Sequence, residues 1–114
     1  MTALMVAVAG AAGVLARYGV GQVSASAWAT VGVNVLGSFL LGLLVHGAPG
    51  MSEEARTALG VGFLGGFTTF STFSVQAVLD ADAGRTGVAL AYVAASVLLG
   101  LGAGAIGYVA GRAL

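Results

Sequence analysis

The thirteen residues from Gly62 to Ser74 read GFLGGFTTFSTFS and hold five hydroxyl side chains, four Phe and three Gly. Two chemistries are available to such a segment. Ring edges carry partial positive charge, so Phe70 and Phe73, at helical i, i+3 spacing among Thr69, Ser71, Thr72 and Ser74, can join hydroxyl donors in solvating a small anion without a formal cation. A site without full charge also lets an anion leave quickly. The Gly65-Gly66 pair followed by Thr68-Thr69 reads as a break in a helix, with backbone carbonyls between Gly65 and Thr68 freed to coordinate a hard cation such as Na⁺. The plain structural alternatives are Phe packing and a kink whose backbone neighbouring hydroxyls satisfy.

Further donors recur at helical spacing. Thr30, Asn34 and Ser38 lie at i, i+4, i+8 and form one polar stripe. Such residues often hold helices together; Asn34, with two amide donors, is the costliest to bury and reads as functional. Tyr92 and Ser96 share a face that continues through Gly100 and Gly104. The pairs Gly100–Gly104 and Gly107–Gly111 fit small-residue helix packing. Arg17 either snorkels to an interface or draws anions into a vestibule.

Elements that position these groups follow from composition. The chain has 114 residues, 59% hydrophobic and 7% charged, with no Cys, one His (His46) and zero net charge. Soluble domains carry about 25% charged residues, so the pattern predicts an all-α membrane protein in which residues 1–114 form a single transmembrane domain. Four apolar stretches approach the length of roughly 20 residues that spanning requires. They run from about Ala3 to Val23, Trp28 to His46, Ala55 to Leu79 and Thr86 to Ala110, the third broken at Gly65–Thr68. The short linkers are Ser24–Ala27, Gly47–Ser52 and Asp80–Gly84, and Ser52 with Glu53 and Glu54 marks a helix start. The N-terminal stretch lacks a basic region before its apolar run and reads as a mature span rather than a signal peptide.

With four spans, Arg56 and Arg112 fall on one side of the membrane and Arg17 and Arg85 nearer the other. Two against two leaves orientation undecided by the positive-inside rule: either details beyond charge set it, or both orientations insert and pair as an antiparallel dimer. Glu53, Glu54, Asp80 and Asp82 all lie at helix ends or in linkers, which counts against a proton antiporter and a carboxylate selectivity ring. Zero net charge argues against nucleic acid as a partner. No nucleophile–base pair or metal cluster suggests an enzyme.

Three segments in order, Gly10 to Tyr18 (GAAGVLARY), Thr30 to Phe39 (TVGVNVLGSF) and Gly62 to Ser74, resemble the CrcB/Fluc family of fluoride ion channels. That resemblance implies an antiparallel dual-topology homodimer in the cell's inner membrane, with two separate fluoride pores. It implies Na⁺ at the dimer centre, held by the carbonyls of Gly65 and Thr68 from both subunits. It assigns Asn34, Phe70 and Phe73 to the pore, Arg17 to the vestibule, and Tyr92 and Ser96 to the start of a polar track, with Thr30, Ser38, Ser71 and Thr72 alongside. Fluoride trapped in the cytoplasm after entry as HF would leave passively. The competing reading is a small multidrug-resistance-type four-helix transporter; that class relies on a membrane-embedded Glu in its first helix, and Met1 to Gly21 contains no carboxylate.

Overall fold

The computed structural model describes residues 1–114 and is all-helical. Helix α1 covers Thr2–Val23 and α2 covers Ala27–His46, the latter capped by the Ser26 hydroxyl, which accepts from the Trp28 N–H at 3.2 Å. Helix α3 (Glu53–Thr57) starts at Ser52, whose Oγ accepts from the Ala55 N–H, with Glu53 and Glu54 in its first turn. A π-helical segment, Ala58–Leu64, follows, then α4 (Gly65–Phe67), α5 (Ser71–Asp82) and α6 (Thr86–Arg112). Four stretches are long and apolar enough to cross a membrane: α1, α2, Glu53–Asp82 and α6.

The span ends hold one correction to the sequence reading. Asp80 and Asp82 lie in α5 rather than in a linker. The helix runs through Asp82 and is closed at Gly84, whose φ of +82° only glycine adopts freely; the Arg85 N–H reaches back to the Asp80 carbonyl while the Gly84 N–H reaches Ala81. Arg56, in α3, is tied to the end of α2. Its guanidinium donates to the carbonyls of Leu44, Gly47 and Ala48 and so caps the negative end of α2.

Small residues set the packing. A Cβ on Gly107 would overlap the Phe39 carbonyl, and a Cβ on Gly42 would overlap that of Gly104, so α2 and α6 touch backbone to backbone. Trp28 meets Tyr92 near one end of this seam and His46 meets Tyr108 near the other, which makes the two helices parallel. Helix α1 packs in the same manner along the third span, from Thr2 beside Glu54 to Arg17 beside Gly66. The third span in turn runs antiparallel to α2, with Gly60 near Leu41 and Thr69 near Asn34. The fold is thus two parallel helix pairs, first with third and second with fourth, of opposite direction.

Close backbone approach through small residues is how membrane helices gain contact without a hydrophobic driving force between them. Gly107→Val therefore forces α2 and α6 apart and costs about 1–3 kcal/mol. A drop in detergent melting temperature checks this, with Gly102→Ala, which meets nothing within 4 Å, leaving it unchanged.

Candidate functional site

Between α4 and α5 the backbone leaves helical geometry at Thr68–Phe70, where Thr68 is extended (φ −87°, ψ 162°). Of the break expected at Gly65–Thr68, Gly65 to Phe67 stay helical and Thr68 departs. A Cβ on Gly66 would sit 2.6 Å from the Gly10 carbonyl, so that glycine serves packing on α1 rather than a turn. The departure comes three residues later because other groups take over the backbone bonds. The Thr69 N–H donates to Asn34 Oδ1 and Asn34 Nδ2 donates to the Thr69 carbonyl, both at 2.8 Å. The Thr68 hydroxyl donates back to Leu64, and the Thr69 hydroxyl accepts the Thr72 N–H in the first turn of α5. One asparagine on α2 therefore does for Thr69 what a helical neighbour would have done, and in hydrocarbon such replacement is required.

Gly37 completes this junction. A Cβ there would overlap the Thr68 methyl, so the extended Thr68 fits only over a glycine.

Three cavities surround the Asn34–Thr69 pair. One of about 190 Å³ gathers Arg17, Thr30, Thr69, Thr72 and Gln76. Arg17 reaches inward: its Nε donates to the Gly66 carbonyl at 3.3 Å. A second, of about 290 Å³, gathers Asn34, Ser38, Phe70, Phe73, Ser96 and Gly100. A third joins Asn34, Ser38 and Phe70 to Gly65, Thr68 and Thr69. The stripe on α2 is thereby divided, with Thr30 beside Arg17 and Asn34 and Ser38 beside the Phe pair. The rings of Phe70 and Phe73 lie 5.6 Å apart, and Phe70 is 78% exposed in the single chain.

Other residues singled out in the sequence lie elsewhere. Tyr92 is fully buried behind Phe73, with ring centroids 5.2 Å apart, and is not among the residues lining these cavities. Ser71 is exposed at the start of α5 and lines none of the three. The hydroxyls of Tyr92 and Ser96 are buried without a hydrogen-bond partner. The carbonyls of Gly65 and Thr68 accept no hydrogen bond, since the N–H groups that helical continuation would send them are diverted or free. Sequence reasoning missed the π-helical segment, Gln76, the fit of Gly37 to Thr68 and the partner of Asn34. Only Gln76 had a signal, its i+4 spacing from Thr72.

A family model described as CrcB-like protein, Camphor Resistance (CrcB), matches residues 4–108. The chain belongs to the CrcB-like family. It is 47% identical to the fluoride-specific ion channel FluC of Thermus thermophilus, over 97% of this chain and 95% of the relative. The corresponding protein of Rhodospirillum centenum is 46% identical over 97% of this chain and 92% of its own length, and that of Geobacter sulfurreducens 44% over 99% and 98%. Family membership sets aside the multidrug-transporter alternative.

Geometry at Gly37 yields a suppressor test. Gly37→Ala drives a methyl into Thr68 and costs about 1–3 kcal/mol. Thr68→Ser removes the opposing methyl, so the double variant recovers most of that loss. A double-mutant cycle on melting temperature measures the coupling; strictly additive effects would separate the two residues.

Proposed function

We propose that this chain is a fluoride-selective channel through which cytoplasmic fluoride leaves the cell passively across the plasma membrane. The observation that carries the proposal is the groove in which Asn34, Ser38, Phe70, Phe73 and Ser96 converge without any carboxylate. One N–H of the Asn34 amide is spent on Thr69 and the second remains to donate. Ser96 has an unpartnered hydroxyl. These donors, with the Phe edges, offer an anion replacement for its hydration shell, while Arg17 attracts it to the adjoining cavity. The relatives' description as fluoride-specific ion channels selects fluoride among small anions.

The functional unit in this reading is an antiparallel homodimer with two pores. Phe70 exposed at 78% leaves the groove short of a wall that a second copy supplies. Charge balance fits dual topology: Arg56 and Arg112 lie at one end of the fold and Arg17 and Arg85 nearer the other, so neither orientation is favoured. The interruption at Thr68–Phe70 then serves two purposes. Downstream it presents the Phe pair. Upstream, the unpartnered carbonyls of Gly65 and Thr68 suit a hard cation, and two copies bring four such oxygens together for a structural Na⁺ at the dimer centre. That ion would supply positive charge and hold the subunits in register.

Efflux from liposomes containing the purified protein tests the function. Fluoride leaves rapidly while chloride stays at the protein-free leak, and Phe70→Ile lowers fluoride flux about tenfold by removing one ring edge. Equal fluoride and chloride flux would refute selectivity; no fluoride flux from folded protein would refute the channel.

A further inference from the structure

Asp80 is the one charged residue buried in the chain, at 4% exposure. A carboxylate in such a place must be paired. Arg85 Nη2 donates to it at 2.8 Å and Gln76 Nε2 approaches at 3.5 Å. The pairing is built into the backbone, because the Arg85 N–H binds the Asp80 carbonyl at 2.8 Å in the motif that ends α5. Arg85 itself is 56% exposed, so its guanidinium faces outward from a carboxylate turned inward. Gln76 connects this pair to the path described above, since it also lines the cavity of Arg17, Thr30, Thr69 and Thr72. Asp80 therefore stands one side chain away from the cavity that Arg17 makes attractive to anions. An uncompensated carboxylate there acts through low-dielectric surroundings, where like charge is felt strongly, and opposes Arg17.

We propose that Arg85 is a charge-cancelling residue for this channel, acting through Asp80: the ion pair keeps the Arg17 cavity open to anions. This rests on the fluoride-channel reading. The pair contributes no net charge while intact. Loss of Arg85 exposes the path to the Asp80 charge; loss of Asp80 does not.

Fluoride efflux is measured for wild type, Arg85→Gln, Arg85→Lys, Asp80→Asn and the Asp80→Asn/Arg85→Gln double variant, at low and high concentrations of a salt whose ions do not permeate. Arg85→Gln is expected to lower flux on the order of tenfold, with little relief at high salt because a buried charge is weakly screened. Arg85→Lys, Asp80→Asn and the double variant stay within about twofold of wild type, because none leaves the carboxylate bare. If Arg85→Gln does not fold, the double variant still decides, since it lacks the pair altogether: near-normal flux supports charge cancellation and a large loss overturns it. A deficit in Arg85→Gln that the second substitution fails to relieve also overturns the proposal. Wild-type flux with all variants normal overturns the ion-pair role alone, whereas absent wild-type flux overturns the channel reading with it.

Discussion

The fold turns on one amide. A peptide group that leaves helical bonding inside a bilayer has no water to turn to, and an unsatisfied N–H or C=O there costs several kcal/mol. Asn34 meets both demands of Thr69 at once, donor to acceptor and acceptor to donor, each at 2.8 Å. This reciprocal contact ties the middle of α2 to the only interruption in the third span. It also determines what lies on each side: Arg17 and Thr30 around one cavity, the Phe pair with Ser38 and Ser96 around the next. Interhelical hydrogen bonds in membranes contribute only about 0.6–2 kcal/mol each, so the contact acts chiefly by excluding the unpaired state.

Around that contact the packing leaves little freedom. The seam of α2 with α6 and that of α1 with the third span are both formed by glycine against backbone carbonyl, at Gly107 against Phe39 and at Gly13 against Phe63. Only 15 of 114 residues are buried in the single chain, so these seams, rather than a large core, hold the helices in register. The outward surface is left to lipid and, in the proposed dimer, to a second copy. Polar groups at the helix ends do local work in the same frame. Arg56 closes the carbonyl end of α2, and Arg85 compensates the buried Asp80.

Much of this was legible from composition and spacing. Four spans follow from apolar length, and α1, α2 and α6 begin and end within two residues of the expected positions. The stripe of Asn34 and Ser38 and the Phe70–Phe73 pair do converge on one groove. What spacing could not show depends on tertiary partners. A π-helical segment over Ala58–Leu64 changes the period locally, and a hydropathy pattern does not register it. The break expected to begin at Gly65 begins at Thr68, and Gly66 instead packs against Gly10 on α1, a partner that spacing does not reveal. Nothing in the one-dimensional pattern pairs Asn34 with Thr69. By contrast Gly84 was a readable stop signal, and weighting it above Asp80 and Asp82 would have placed the end of α5 correctly.

Amide hydrogen exchange and fluoride efflux measured on the same Asn34→Ala protein test the central role of this contact most directly. The expected result is a folded protein in which the Thr69–Phe73 segment exchanges faster than in wild type, the helix seams stay protected, and fluoride efflux falls at least tenfold, about the loss expected of two interhelical hydrogen bonds together. Unchanged protection at Thr69 with undiminished efflux would contradict it.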